Sequence, residues 1–414
     1  MIRTRRMHDL VLVGATGFVG RLTAQHLARY AAPEARIALA GRSEERLAAV
    51  RAELGGTAAA WPLLVVDVAD EEAVASLAVA TKVVLSTVGP YLRHGMPLVR
   101  ACAEAGTDYA DLTGETLFVR RSIDAVHEQA VATGARIVHS CGFDSVPSDL
   151  GVGLCARQAA ADGQGSLTET VLHVRAIKGG VSGGTVDSLR QQVIETSGDR
   201  HARRLVGRAA ALVDGPRTPG ARRPGRASAV ERDPATGSWQ APFVMGVFNR
   251  QIVQRSNALA HAAYGPEFRY REVVDTGRGP RGAARAAAVA GGTAALMAGM
   301  WFGPTRSLLD RVLPEPGSGP SEQALSRGRF TIEVVARTTT GARYRTTVGA
   351  DLDPGYNGTA VMLGESGLSL AFDDLPLRGG VLTPMVALGP SLAERLRAHG
   401  FTVETERLPD QPVL

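Results

Sequence analysis

Three glycines spaced three residues apart constrain the start of this chain more than any other feature. Gly14, Gly17 and Gly20 stand between a run of four apolar residues, 10–13, and a stretch with helical periodicity. An apolar run that passes into glycines and then into a helical pattern predicts a strand, a tight turn and a helix. Glycine permits backbone angles that other residues avoid, and it allows a second backbone segment to approach closely. We therefore expect the chain to open with a compact strand–turn–helix unit.

Short apolar runs alternate with helical patterns over about the first 160 residues. Three of the helical patterns end at Gly55, Gly106 and Gly134, and glycine is the usual left-handed residue after a helix. Near-continuous apolar strands separated by such helices are typical of a parallel sheet that is covered on both faces. We therefore predict an α/β fold with a doubly wound parallel sheet. Its predicted strands are 10–13, 37–40, 63–66, 83–86, 108–112 and 136–140.

The pattern changes after about residue 160. Residues 170–179 are strand-like, 329–352 read as a hairpin about Thr340-Gly341, and 382–400 return to a helical pattern. The change indicates a second, mixed α/β unit. We place the first domain at 1–155, a substrate or dimerisation domain at 156–375 and a C-terminal segment at 376–414.

The segment 286–303 carries no charged residue. A helix that crosses a membrane takes about 17–25 apolar residues, so its length would suffice. However, the segment is mostly alanine and glycine, which are weakly hydrophobic, and it stands alone in the sequence. We favour a buried or pocket-lining helix, and a helix that contacts a membrane is the alternative.

The three cysteines, Cys102, Cys141 and Cys155, are an odd and dispersed set. Their spacing argues against a disulfide framework and against a zinc site, so we expect no metal and a reducing compartment. The basic N-terminus has no apolar segment typical of a secretion signal. The expected location is the cytoplasm. Peripheral contact with a membrane is the alternative, because the uncharged segment 286–303 could contact one.

The glycine turn has the sequence context of a dinucleotide-binding site. One glycine makes the turn, another lets the backbone approach a pyrophosphate, and the N-terminus of the following helix favours its negative charge. A tight strand–helix turn also occurs without a ligand, but here it belongs to the first unit of a complete wound domain. The residues expected to contact the nucleotide are Gly14, Ala15, Thr16, Gly17, Phe18, Val19 and Gly20.

The end of the second predicted strand indicates which nucleotide binds. An NAD site usually offers an acidic residue there, whereas this chain has Arg42 and Ser43. A guanidinium and a hydroxyl suit the 2′-phosphate of NADP, although Arg42 could also be an ordinary surface residue. Asp67, after the third strand, is expected either near the adenine or as a helix cap.

The nicotinamide end of the cofactor is expected at the residues after the fourth strand. Ser86, Thr87, Val88, Gly89 and Pro90 shape the sheet edge where the strand order reverses. Just beyond them, Tyr91 and His94 are the first side chains with useful protons. Each could be a general acid, and each could simply bond the backbone.

Several sequence blocks, in this order, resemble the saccharopine dehydrogenase-like oxidoreductases, and most of all the actinobacterial trans-acting enoyl reductases. The resemblance implies a Rossmann-type domain, an inserted mixed α/β domain, a C-terminal helix that returns to the first domain, and NADPH as hydride donor. The substrate does not follow from it. The blocks are "GATGFVG" (14–20), "AGRS" (40–43), "GPYLRHGMPLVRACAEAGTDYADLTGE" (89–115), "HSCGFDSVPSDLGV" (139–152), "GGTVDSL" (183–189), "DPGYNGTAVMLGESGLSLAFD" (353–373) and "GGVLTPMVALG" (379–389).

The resemblance implies reduction of an enoyl C=C bond in a lipid or polyketide intermediate. Such a reaction needs oriented donors for the developing enolate and one proton, with no metal or covalent nucleophile. We take Tyr91, His94 and Ser145 as candidate catalytic residues. Imine or secondary-amine reduction of the saccharopine type has similar needs and stays open. So does a non-catalytic NADP-binding protein attached to lipid or membrane.

Arginines collect in the presumed loop 199–238. Nucleic acid is not the expected partner because no aromatic residue is interleaved to stack on bases. A solvated loop is one interpretation, and docking of an acidic acyl carrier protein that delivers the acyl substrate is the other. A free small molecule as substrate and a homodimer are also kept open. The arginines are Arg200, Arg203, Arg204, Arg208, Arg217, Arg222, Arg223, Arg226 and Arg232.

Overall fold

Two seven-stranded sheets form the framework of the computed structural model. It describes residues 6–179, 183–214, 230–234, 236–301, 305 and 319–409. The first sheet is parallel throughout and has the order β13-β6-β5-β4-β1-β2-β3, which confirms the predicted doubly wound α/β sheet. Its strands are β1 (His8–Val13), β2 (Ile37–Gly41), β3 (Leu63–Val65), β4 (Thr81–Ser86), β5 (Asp108–Asp111), β6 (Arg136–Val138) and β13 (Gly380–Leu382).

The helices between these strands end where the glycines predict. Gly55, Gly106 and Gly134 follow three of the helices and have φ angles of 59°, 65° and 79°. A positive φ costs glycine little, so the chain can leave each helix and start the next strand. The helices are α1 (Phe18–Tyr30), α2 (Glu44–Leu54), a 3₁₀ turn (Gly56–Ala60), α3 (Glu71–Ala80), α4 (Tyr91–His94), α5 (Met96–Ala105) and α6 (Thr116–Thr133).

Both faces of the first sheet are buried. Leu10 and Leu85 face α1, α2 and a late helix, α13 (Thr359–Phe372), whereas Val11 and Val84 face α3, α5 and α6. Close approach of α13 depends on Gly367, since a Cβ atom there would lie 2.7 Å from Leu85 and 2.8 Å from Leu10. Residues far along the chain therefore complete the core of the first unit.

The second sheet is mixed and has the order β14-β12-β11-β7-β10-β9-β8. β7 and β10 are parallel, and the other neighbours are antiparallel. The predicted strand at 170–179 and the predicted hairpin at 329–352 are both confirmed. The strands are β7 (Leu167–Lys178), β8 (Glu231–Arg232), β9 (Trp239–Pro242), β10 (Arg269–Gly277), β11 (Arg329–Thr338), β12 (Arg343–Ala350) and β14 (Thr402–Leu408).

Part of the presumed loop 199–238 is a helix, which corrects that prediction. Asp199 accepts a hydrogen bond from the His201 amide and starts α9, as a helix N-cap does. Residues 215–229 of the loop lie outside the described residues. The remaining helices are α7 (Val146–Ala161), α8 (Gly183–Gly198), α9 (Arg200–Val206), α10 (Gly246–Leu259), α11 (Gly279–Trp301), α12 (Glu322–Ser326), a π-helical turn (Pro354–Gly358), α14 (Pro384–Ala387) and α15 (Gly389–Ala398).

The apolar segment 286–303 falls largely within α11. Of the two forms predicted for it, a pocket-lining helix is confirmed and a buried helix is wrong. Gly279–Met300 is long and apolar enough to cross a membrane by length and composition alone, and only 11% of its apolar window is buried. The helix packs on β9 and β10 through Gly282 and Ala286, and its small side chains leave the opposite face exposed. Its first half lines an open cavity beside the end of β10. Residues 302 and 303 lie outside the described residues.

The C-terminal segment 376–414 contributes to both sheets. β13 extends the first sheet beside β6, and α15 packs against α13, as a return to the first unit requires. The chain then crosses to the second sheet, where β14 pairs with β12 along that edge. The segment therefore ties the two units together.

Candidate functional site

The glycine turn requires glycine at two of its three positions. Gly14 has a φ of 88°, and a Cβ atom there would lie 2.6 Å from Oγ1 of Thr87. At Gly20 a Cβ atom would lie 2.1 Å from the carbonyl oxygen of Gly14. Gly17 donates its N–H to that same carbonyl at 3.0 Å. The backbone of the turn therefore packs closely against the start of α1 and the end of β4.

The start of α1 fits a pyrophosphate. Gly17, the residue before the helix, is exposed and has no side chain to cap the first N–H groups, and Thr16 and Phe18 are half-buried. Amides at a helix N-terminus carry partial positive charge and favour phosphate oxygens. The structure therefore places the predicted residues 14–20 at the tight turn and the uncapped start of α1, which suit a pyrophosphate.

The predicted 2′-phosphate and adenine residues lie at the same sheet edge. Because β1, β2 and β3 are parallel neighbours, their carboxyl ends meet there. Arg42 directly follows β2 and is exposed, while Ser43 accepts a bond from the Arg46 amide at 3.3 Å and caps α2. Asp67 is exposed after β3, and its Oδ1 accepts the Ala69 N–H at 3.0 Å. Arg42 offers a cation, and the Ser43 hydroxyl keeps a proton to donate.

The residues after β4 adjoin the glycine turn. Thr87 donates its N–H to the Val13 carbonyl and its hydroxyl to the Gly14 carbonyl, both at 3.0 Å. Ser86 is buried, and its Oγ accepts the Val88 N–H. Val88 and Pro90 are half-buried and Gly89 is exposed. The predicted nicotinamide residues and the predicted phosphate residues therefore form one continuous edge.

Tyr91 is part of the framework of this edge. Its hydroxyl donates to the Ser86 carbonyl at 2.9 Å and accepts the Leu112 N–H at 3.2 Å. Burial, together with the Asp111 carboxylate, raises the pKa of Tyr91 well above its usual value. The phenol proton is thus held by an internal acceptor, and the ring is buried.

The other two predicted catalytic residues differ in exposure. His94 ends α4 and is exposed. Ser145 stands at the start of α7, is buried and donates its hydroxyl proton to Oδ1 of Asn249 at 2.9 Å. The structure brings Tyr91 and His94 to the β4 edge, while Ser145 joins an internal network. A catalytic role for any of the three stays a prediction.

Sequence reasoning did not identify Glu115, whose buried carboxylate supports the β4 edge. It accepts the N–H groups of Tyr91 at 2.9 Å and Leu92 at 2.7 Å, and the Ser188 hydroxyl at 2.7 Å. Burial raises the pKa of Glu115 although these three bonds oppose the rise. Through Ser188 the edge is joined to α8. No local pattern could reveal this residue, because Ser188 is 73 positions away.

A second buried carboxylate, Glu272, also escaped sequence reasoning. It accepts bonds from Tyr270 at 2.7 Å, Ser148 at 2.8 Å and Asn249 at 3.0 Å, and Asn249 in turn accepts from Ser145. Burial raises the pKa of Glu272 to about 7. The sequence offered one signal for Glu272. It lies two residues after Tyr270 in a strand, so the two side chains share one face, which is buried. The network joins α7, α10 and β10 behind the site.

Asp111 and His139 fix the loops after β5 and β6. Asp111 Oδ2 lies 2.8 Å from His139 Nδ1, and His139 Nε2 lies 2.8 Å from Ser122 Oγ. The other Asp111 oxygen accepts the N–H groups of Thr113 and Ser140, each at 3.1 Å. All of these side chains are buried. They shape the carboxyl edge of the sheet without facing its open side.

Known proteins with similar sequences cover the whole chain. Residues 10–138 match the family described as the saccharopine dehydrogenase NADP-binding domain. A trans-acting enoyl reductase of Mycobacterium tuberculosis is 47% identical over 422 residues, and one of Mycobacterium ulcerans is 47% identical over 426 residues. A second M. tuberculosis protein, provisionally given the same name, is 49% identical over 422 residues. Each comparison covers 99% of this chain and 100% of the relative.

Two solved structures share the fold at low sequence identity. Apo saccharopine dehydrogenase of Saccharomyces cerevisiae has a TM-score of 0.52 at 12% identity and covers 97% of this chain and 99% of its own. Homospermidine synthase of Legionella pneumophila, solved with NAD, has a TM-score of 0.52 at 10% identity, with coverage of 97% and 91%.

These comparisons agree with the glycine turn and with the second mixed sheet. Full-length identity of 47–49% is sufficient to show the family, and the matched domain shows the cofactor. The protein is an NADP-dependent oxidoreductase with a Rossmann-type domain. This chain belongs to the trans-acting enoyl reductases of the saccharopine dehydrogenase-like family.

Proposed function

We propose that the protein reduces the C=C bond of an α,β-unsaturated acyl thioester that is an intermediate of lipid or polyketide assembly. The observation that carries this proposal is 47% sequence identity, over the full length, with relatives named trans-acting enoyl reductases. The nucleotide cradle at the carboxyl edge of the first sheet supports it. NADPH is the reductant.

The reaction makes defined demands on the protein. NADPH, when bound, supplies a hydride to the β-carbon, negative charge gathers on the thioester oxygen, and the α-carbon takes a proton. Donors fixed near that oxygen stabilise the charge most effectively when they are already oriented. Glu115 holds the β4 edge rigid through the Tyr91 and Leu92 amides, so its role is positioning. Among the three catalytic candidates, His94 is the exposed one and is our first choice for the proton donor.

Cofactor choice tests the proposed 2′-phosphate contact. We expect Arg42→Ala to weaken NADPH binding about 10–100-fold, because a bond to a charged group contributes about 1.5–3 kcal/mol, and to leave NADH binding unchanged. Titration followed by nicotinamide fluorescence measures both affinities. Arg46→Ala is the matched control, since Arg46 is also exposed and lies four residues further on. Equal losses for the two nucleotides, or for the two variants, would contradict a contact with the 2′-phosphate.

Substrate assays distinguish the proposed reaction from its alternatives. We expect NADPH oxidation with an enoyl thioester and formation of the saturated product, measured by mass spectrometry. Oxidation only with an oxo acid plus an amine would favour imine reduction of the saccharopine type. NADPH binding without turnover of either class, together with sedimentation on liposomes, would favour the non-catalytic alternative. The liposome assay is included because α11 has an exposed apolar face.

The arginine cluster supports delivery of the substrate by an acidic acyl carrier protein. Arg200, Arg204 and Arg208 are exposed on α9 and just after it. Attraction between these positive charges and an acidic partner speeds the encounter of the two proteins and orients the partner. Arg203 bonds the carbonyls of Thr196 and Ser197, so it is not part of this surface. The cluster members Arg217, Arg222, Arg223 and Arg226 lie outside the described residues.

Charge reversal tests this docking. We expect Arg200→Glu with Arg204→Glu to raise the KM for carrier-bound substrate and to leave turnover of a free thioester unchanged. Arg337→Glu, an exposed arginine of the second sheet, is the control. An unchanged KM for the carrier-bound substrate would remove the docking proposal. Light scattering of the same samples tests the predicted homodimer.

A further inference from the structure

Two histidines and a glutamate converge outside the cofactor cradle. His26 lies on α1, Glu365 on α13, and His399 directly follows α15. The Nε2 atoms of His26 and His399 lie 2.6 Å and 2.9 Å from the same oxygen, Oε1 of Glu365. The exposed fractions of the three side chains are 4% for His26, 0% for Glu365 and 17% for His399. Three helical segments therefore direct ligand-type atoms to one nearly buried point.

The donor set suits a divalent transition metal. The two imidazole nitrogens and the carboxylate oxygen all lie within 4.8 Å of one another. Two histidines and one carboxylate are a known ligand set for zinc. The three atoms are therefore close enough to bind one ion together.

Neighbouring residues hold the three ligands in place. Arg395 donates to Oε2 of Glu365 at 3.0 Å and to both carboxylate oxygens of Asp373 at 2.8 Å and 2.6 Å. Oε1 is thereby turned toward the imidazoles, as outer partners commonly orient a metal ligand. Glu365 and Asp373 outweigh the single charge of Arg395, so a cation is favoured. Gly364 makes room, since a Cβ atom there would lie 2.7 Å from the His26 ring.

We propose that His26, Glu365 and His399 bind one Zn²⁺ ion, which fastens α1 to the C-terminal part of the chain. On binding, each ring carries its proton on Nδ1 and offers the Nε2 lone pair, and the two hydrogen bonds to Oε1 are replaced by metal bonds. Water takes the fourth position on the solvent side of His399. His26 lies six residues beyond Gly20, about 9 Å along the helix, and none of the three ligands is a predicted cofactor or catalytic residue, so we assign the ion a structural role.

Metal titration of the full-length protein tests the proposal. Tag-free protein is freed of metal with a chelator and titrated with Zn²⁺ by calorimetry, and with Co²⁺ by visible absorption. We expect one ion per chain in the wild type. In His26→Gln and in His399→Gln we expect an affinity loss of at least about 10–100-fold, the loss that removal of a ligand's outer partner already produces. His201→Gln is the control, because His201 is an exposed histidine of α9. NADPH binding and circular dichroism establish that each variant is folded.

A wild-type measurement keeps the test decisive if a variant does not fold. X-ray absorption at the zinc edge should report two imidazoles and oxygen ligands. Binding of Zn²⁺ should also raise the melting temperature, and the chelator should reverse that rise. The absence of one-to-one binding, undiminished binding in both variants, or a spectrum with sulfur or only oxygen ligands would overturn the proposal. The outcome does not depend on the enoyl reductase activity.

Discussion

Gly17 and Gly20 occupy the same turn, but their surroundings differ. A Cβ atom at position 20 would meet the Gly14 carbonyl oxygen at 2.1 Å, whereas one at position 17 would lie 3.4 Å from it, with a φ of −74°. We expect Gly20→Ala to lower the free energy of unfolding by about 1–3 kcal/mol and to abolish NADPH binding, because the turn must open. Gly17→Ala should fold normally. Urea unfolding and NADPH titration of both variants measure this, and equal stability would refute the steric argument.

The buried carboxyl of Glu272 sets a pH dependence. Its pKa is about 7 in the folded protein and about 4.3 in an unfolded chain, so the folded state holds the proton more tightly. The free energy of unfolding must therefore fall as the pH rises through this window, by an amount on the order of 3 kcal/mol. In Glu272→Gln we expect this fall to be missing. Urea unfolding at pH 5, 6.5 and 8 measures it.

Glu169→Gln is the matched control for that prediction, because Glu169 is an exposed carboxylate in the neighbouring strand β7. It should follow the wild-type pH profile. A parallel profile for Glu272→Gln would show that Glu272 does not bind its proton more tightly in the folded state.

The extent to which single residues could be predicted depends on how local their partners are. Gly14, Gly20 and Arg42 belong to a motif contained in neighbouring segments, so their positions follow from the sequence. Glu115 and the ligand set at His26 and Glu365 draw partners from distant parts of the chain. No spacing rule can detect a site whose members are separated by hundreds of residues.

Asp9, near the start of β1, pairs with Lys82 of β4 and with Arg36, which directly precedes β2. Its carboxylate accepts bonds from Arg36 at 2.9 Å and 3.0 Å and from Lys82 at 2.7 Å. Although burial opposes it, these partners hold the pKa of Asp9 well below its usual range. Stability from this group is therefore present above about pH 4, the unfolded pKa, and is lost as the pH falls below it.

Replacement of Asp9 tests this contribution. We expect Asp9→Asn to lower the free energy of unfolding at pH 7 by about 1–2 kcal/mol, a modest value because Arg36 and Lys82 are partly exposed. The difference from the wild type should shrink below about pH 4. A difference that stays constant from pH 7 to pH 3 would assign the loss to packing and not to charge.

Whole elements were predictable where periodicity and packing agree. The six strands at 10–138 and the hairpin of β11 and β12 are confirmed because buried strands need apolar runs or alternation. α11 lines a cavity, as one of its two predicted forms required, but it is not buried, because alanine and glycine tolerate exposure. α9 was not predicted, because the arginines that it shares with the rest of 199–238 are compatible with a charged loop. Composition alone cannot separate a charged helix from a charged loop.

At the scale of the whole molecule, one core joins the two sheets. Leu10 and Leu85 of the first sheet, and Val334 and Tyr344 of the second, belong to a single continuous cluster of buried residues. We expect one calorimetric unfolding transition, and NADPH at about 100 times its Kd should stabilise the whole molecule by about 2.7 kcal/mol. Two transitions, of which NADPH shifts only one, would show that the units unfold independently.

The path of the chain between the sheets has a consequence for biosynthesis. The first 138 residues leave the ribosome with six strands of the first sheet, but α13, which covers one face, follows more than 200 residues later. β13 and β14 complete the two sheets only after residue 379. A nascent chain must therefore keep apolar strands exposed until these segments have been made. Products that stop before residue 359 should aggregate or require chaperones.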